Sequence, residues 1–268
     1  MTVDLGKKHQ DWAVYLPAIS GFYVTQLQKM AAKPDEWRCP EGFEKGTAGM
    51  NFLDPEDSYY FYPWGLYSGG HAHLDTEKSD EREPMVQGRD RSKTMILGDS
   101  GGFQLATGVI KMDWSNAKDP NDPARTEFCR KILGWLEHTA DWSMTLDVPA
   151  FAAVGKLSER TGLTEFSDTL DISLLNLDYF MRNRNPEATK FLNVLSGSNE
   201  ENSKEWYDAV KHFSNKSFVQ EAYGDANRTL EGYAFAGINM KHMYSCLLYT
   251  SDAADDTPCV DLGGRRII

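Results

Sequence analysis

Apolar residues recur at helical spacing in three long stretches of the chain. Pro123–Thr139 places Phe128, Ile132, Trp135 and Leu136 on one face, Phe166–Asn185 does so with Leu170, Leu174, Leu177 and Met181, and Asn199–Phe213 with Trp206, Val210 and Phe213. Such stripes predict amphipathic helices. Alternating with them are short apolar runs of strand length: Thr94–Leu97, Trp142–Leu146, Phe191–Leu195 and Gly232–Ala236. These runs end at Asp99, Asp147, Ser196-Gly197 and Gly237, so successive ends are 48, 49 and 41 residues apart. That spacing suits βα units with decorated loops. Upstream, Ala13–Leu16 and Ser58–Tyr62 offer earlier strands, while Glu36–Asp57 and Asp75–Arg91 read as long polar insertions. The pattern predicts an α/β fold, a (β/α)8 barrel of the TIM type that is incomplete at its C-terminus. Its strands deliver polar or glycine residues at their C-terminal ends, where such a barrel keeps its active site. An open, doubly wound parallel sheet is the competing architecture.

The pattern stops near residue 245. Cys246–Asp255 back-translates readily into one end of a transposase-type adapter used in sequencing libraries, and Val260–Ile268 into its other end, with Asp256–Cys259 in the place of an index. Residues 1–245 are therefore read as the N-terminal part of the barrel, and 246–268 as adapter read-through to be excluded from fold reasoning.

Composition narrows the function classes. At 41% hydrophobic residues the chain has material for a core, and it holds no apolar run of roughly 20 residues that would span a membrane. No secretory signal follows Met1, so a cytoplasmic protein without membrane association is expected. Setting aside Cys246 and Cys259, only Cys39 and Cys129 remain, too few for a disulfide framework or a zinc site. The net charge is −12, or −10 without the final segment. Such acidity opposes nucleic-acid binding unless positive charge is clustered. Arg82, Arg89, Arg91 and Lys93 form one candidate cluster, which reads first as a solvated charged loop.

The densest chemistry is the run Asp99-Ser100-Gly101-Gly102-Phe103-Gln104 after the first clear strand. The glycines permit close approach of the backbone to a ligand, and Phe103 offers a stacking face. Gly98–Gly102 matches the nucleophile loop of trypsin-like proteases, but Phe103 stands where that loop has proline and helix-period segments follow. Gly98-x-Ser100-x-Gly102 also satisfies the nucleophile elbow of α/β-hydrolases, with only His138, His212 and His242 available downstream. A purely structural glycine turn is a further reading.

In a third functional reading the aspartate carries the chemistry. Asp-Ser-Gly-Gly-Phe-Gln is the signature of the tRNA-guanine transglycosylases, and the chain resembles that family from about Tyr59 to Gly237. The resemblance implies an enzyme that replaces guanine with a 7-deazaguanine in tRNA, or in DNA, through a covalent glycosyl-enzyme intermediate. Asp99 takes the place of a catalytic carboxylate, and Asp147 that of the base-recognising aspartate. A carboxylate suits guanine because its two oxygens accept from N1–H and the 2-amino group together. Ser100, Phe103, Gln104, Ser196, Gly197, Gly237 and Ile238 complete the implied base-binding set. Ser196 stands where the family has a glutamine, and Ala236-Gly237-Ile238 keeps one glycine of a Gly-Gly-Leu pattern. The family's nucleophile belongs to a later strand end, and its zinc segment lies further on. The chain alone is thus expected to be inactive and to hold no cofactor. The resemblance also allows a homodimer of the full-length protein. A non-catalytic base- or nucleic-acid-binding subunit is the alternative.

Gly69-Gly70-His71-Ala72-His73 presents His-x-His after an expected strand, a pattern that begins some metal sites. The later strand ends bring no further histidine, so a polar loop is expected and no metal role is assigned.

Overall fold

In the computed structural model of the chain, residues 14–31 and 41–235 are described. They form an α/β structure with a six-stranded sheet, all parallel, whose neighbours follow chain order. The strands are β1 (Ala18–Ile19), β2 (Trp64–Ser68), β3 (Met95–Asp99), β4 (Trp142–Met144), β5 (Lys190–Leu195) and β6 (Gly232–Phe235). The helices are α1 (Gly21–Ala31), α2 (Thr76–Arg82), α3 (Pro84–Gln87), α4 (Gly102–Thr107), α5 (Pro123–Thr139), α6 (Gly155–Thr161), α7 (Phe166–Asn183), α8 (Glu200–Val210) and α9 (Lys216–Tyr223). The strand order never doubles back, whereas a doubly wound sheet reverses direction at its switch point.

The chain divides into two compact units. One comprises the chain up to Gly101 with Arg130–Ser143 and Glu187–Lys190; the other comprises Gly102–Cys129, Met144–Pro186 and the chain from Phe191.

In the first unit, β3 packs closely on the C-terminal half of α5. A Cβ on Gly98 would lie 2.7 Å from Leu136 and 2.8 Å from Ala140, so the bare strand position sets the helix distance. Trp135, fully buried, tilts against Tyr67 with ring centroids 5.7 Å apart. A polar cluster is buried beside these rings. Tyr67 donates to Glu83 at 2.8 Å, the backbone N–H of His73 donates to the same oxygen at 2.9 Å, and the Trp135 indole donates to Ser79 at 3.3 Å. Burial and the neighbouring Glu83 carboxylate hold the Tyr67 phenol well above its usual range. At the strand starts, Arg89 is buried and donates to Asp141 at 2.8 Å and to the Val86 and Thr139 carbonyls. Asp141 in turn accepts from the Ile96 amide.

The second unit is built on α7. Its N-terminus carries a capping box between Glu165 and Asp168, satisfying donors the helix cannot pair internally. Leu170, Leu177 and Met181 are buried along its inner face, joined by Ile172 and Phe180, while Leu174 is only half-buried. Phe180 meets Phe191 of β5 edge-on at 5.6 Å. Trp206 of α8 is buried and donates to the Val194 carbonyl at 2.9 Å. Cys129 is buried here, and burial pushes its thiol up to about 12.

Helices α5, α7 and α8 stand where the apolar stripes put them. Two early expectations are corrected. Tyr15, Leu16 and Ser58–Tyr62 are not strand; β1 starts at Ala18 and β2 at Trp64, just past Pro63, a residue that cannot donate to a sheet ladder. Helices α2 and α3 occupy the polar stretch Asp75–Arg91, α2 capped by Asp75 and α3 led by Pro84. The expected strand Trp142–Leu146 ends at Met144.

Candidate functional site

In the first unit, β2 and β3 end together, with Ser68 paired to Asp99. Ser68 donates its hydroxyl to Asp99 Oδ2 at 2.6 Å, and the Gly101 amide approaches Oδ1 at 3.3 Å. The Gly69 amide donates to the Asp99 carbonyl at 2.8 Å. The half-buried carboxylate is thus aimed by a hydroxyl from the neighbouring strand. Gly101 has φ +82°, a left-handed turn that side chains resist, and it releases the chain from β3. Ser100, between them, is 1% exposed.

The second unit begins at Gly102, where Gly102, Phe103 and Gln104 of the motif open helix α4. Phe103 is 59% exposed and meets Phe151 edge-on at 5.7 Å. Gln104 is half-buried on the same helix.

Asp147 follows β4 on an irregular segment and is 6% exposed. Two hydroxyls clamp this segment. The Val148 amide donates to Ser173 of α7 at 2.8 Å, and the Ala150 amide donates to Ser196 at the end of β5 at 3.2 Å. Val148 and Ala152 sit in a buried cluster with Ala106, Ala117, Leu163 and Ile172, with Phe151 packed against it. The Asp147 carboxylate and carbonyl rest on Gly102, where an added Cβ would lie 2.7 Å from Oδ1 and 2.6 Å from the carbonyl oxygen. The second unit therefore brings together the glycine of the motif, the aromatic ring beside it and the aspartate of the next strand end.

Ser196 is fully buried, with its hydroxyl on the Ala150 amide, so it supports the Asp147 segment. Gly197 has φ +152° and its Cα backs onto Ser203 of α8; a Cβ would meet the Ser203 backbone at 2.8 Å. Gly237 and Ile238 lie outside the described residues, as do Cys39 and the segment 246–268. His71 and His73 stand in an exposed loop of the first unit. Among the described residues no group of three or more His, Cys, Asp or Glu side chains could hold a metal, and no helix is long and apolar enough to cross a membrane. Sequence reasoning missed Ser68, Ser173 and Phe151, whose roles depend on which strand or helix comes to lie beside them.

No protein-family model, no curated protein and no solved structure matches the chain.

Proposed function

We propose that the chain is a nucleobase-recognising part of a base-exchange enzyme of the tRNA-guanine transglycosylase type, its six parallel strands belonging to a (β/α)8 barrel. The observation that carries the reading is the contact of the Asp147 carboxylate with Gly102, beside the exposed ring of Phe103. An acidic group that accepts two hydrogens, next to a flat apolar face, is complementary to guanine and to 7-deazaguanines. Asp147 accepts from N1–H and the 2-amino group, and Phe103 stacks on the ring. In the first unit, Asp99, held by Ser68, matches by the resemblance the family's catalytic carboxylate. In the exchange a carboxylate bonds to the anomeric carbon as its bond to guanine breaks, and the incoming base reverses that step. That nucleophile belongs to a later strand end. The burial of Ser100 weighs against a hydrolase, whose nucleophile stands exposed on its elbow.

Calorimetric titration of the 268-residue chain with guanine, 7-deazaguanine and adenine tests the reading. Guanine and 7-deazaguanine should bind and adenine should not, with Asp147→Asn weakening guanine at least tenfold. Equal binding of adenine, or no effect of the substitution, would overturn it.

A further inference from the structure

Helix α4 carries Gly102 and Phe103 in its first turn and is only six residues long, so whatever fixes its far end also fixes the ring. A helix leaves its last carbonyls without internal partners. Here the Gly108 amide donates to the Leu105 carbonyl at 3.2 Å, and the Ile110 amide to the Gln104 carbonyl at 3.1 Å. Arg160, in the last turn of α6, donates to the Thr107 carbonyl at 2.9 Å and to the Gly108 carbonyl at 3.3 Å. A cation at this end also complements the helix dipole. Thr107 passes the grip back to the start of the helix, because its hydroxyl donates to the Phe103 carbonyl at 2.8 Å.

The guanidinium rests directly on the backbone of Gly108, where a Cβ would overlap it. Helix α6 is itself tied down on the side of the second ring. Thr161 donates to the Ala152 carbonyl at 2.9 Å, and the amide of Val154, just before α6, donates to the Phe151 carbonyl at 3.1 Å. The element that bears Arg160 is thereby fixed to the segment that bears Phe151, the ring that meets Phe103 edge-on. We propose that Arg160 is a positioning residue for the base site: through the C-terminal carbonyls of α4 and through Thr107, it keeps Phe103 in place beside Asp147. Its guanidinium binds main chain and not the base. The inference deepens the reading above and rests on it only for what Phe103 stacks on.

In the test, 4-fluorophenylalanine at position 103 of the 268-residue chain gives one fluorine resonance that reports the ring, and calorimetry reports guanine. Arg160→Met removes the donors and keeps a long side chain. It should shift or broaden the resonance of the folded protein and weaken guanine about tenfold, the worth of one hydrogen bond from a charged donor. Arg160→Lys keeps the charge but lacks the fork that spans two carbonyls, so it should fall between. Gly108→Ala should act like Arg160→Met, since the new methyl displaces the guanidinium. Gly224→Ala controls for backbone strain, because both glycines have φ +75° and nothing lies within 4 Å of a Cβ at Gly224. A resonance or a guanine affinity left unchanged in Arg160→Met overturns the assignment, since a purely structural contact would lower the urea midpoint alone. Gly108→Ala behaving as Gly224→Ala overturns it too. If guanine fails to bind the unsubstituted chain while the resonance still responds to Arg160→Met, the positioning role stands and the base-exchange reading falls.

Discussion

Asp147 rests its carboxylate on Gly102, so closely that no side chain fits between them: a Cβ on that glycine would stand 2.7 Å from Oδ1. The contact joins two segments that are 45 residues apart in the chain, the start of α4 and the irregular segment after β4.

Gly102→Ala should therefore damage fold and site together. The displaced atoms are backbone and a fixed carboxylate, so about 1–3 kcal/mol of stability should be lost, as in other overpacked interiors, along with guanine binding. Gly134 is the internal control. It lies on the exposed side of α5 with nothing within 4 Å of an added Cβ. Gly134→Ala should raise stability by up to about 1 kcal/mol from helix propensity alone. Chemical denaturation of both variants reads the contrast.

Arg89→Met should be the most costly change in the first unit. It strips Asp141 of its buried partner and leaves two carbonyls without their donor. Breaking a buried pair from one side costs about 3–5 kcal/mol. A lowered denaturation midpoint with little change in affinity for guanine would mark the role as structural.

Acid sensitivity should depend on Lys118. Burial opposes ionisation of Asp168, but Lys118 and the amides of Thr164 and Glu165 outweigh it and hold the carboxyl below its usual range. A carboxyl lowered in the folded state stabilises above its unfolded value, and that stability is lost as pH falls through the folded value. Lys118→Met should thus lower stability at pH 7, with the gap from wild type closing as pH falls below about 4. Urea midpoints across that range supply the measurement.

Cys129 should resist alkylation. Its thiol is buried and pushed up to about 12, and the reactive species is the thiolate. Mass spectrometry of the peptide containing residue 129 should find modification only after denaturant is added. Labelling in the native state at the rate of a free thiol would contradict the burial of Cys129.

The sequence displayed its helices where burial is one-sided. Pro123–Thr139 is helical over its whole expected length because Phe128, Ile132, Trp135 and Leu136 must share a face to be covered. Helix α2 gave no such stripe: of its residues only Ser79 is buried, and what starts it is the Asp75 cap, a local signal easily lost in a charged stretch. The aromatic run Tyr59–Tyr62 has the residue types of a strand, yet Pro63 intervenes and the ladder begins at Trp64. At the site, the hexapeptide and Asp147 stand out in the sequence because glycine, ring and carboxylate types limit what they can do. The hydroxyl of Ser196 was read as a base contact, whereas it lies under the Ala150 amide. Such a pairing is fixed by which strand lies beside which, and residue type carries no trace of it.

The serine clamps on the segment after β4 have a consequence for how the acid is presented. Ser173 and Ser196 hold main-chain amides through neutral oxygens, so neither tether weakens in concentrated electrolyte and neither titrates between mild acid and mild alkali. The carboxylate of residue 147 is kept in register by a scaffold indifferent to the ionic medium. Whatever it grips can then vary with solvent only through the grip itself.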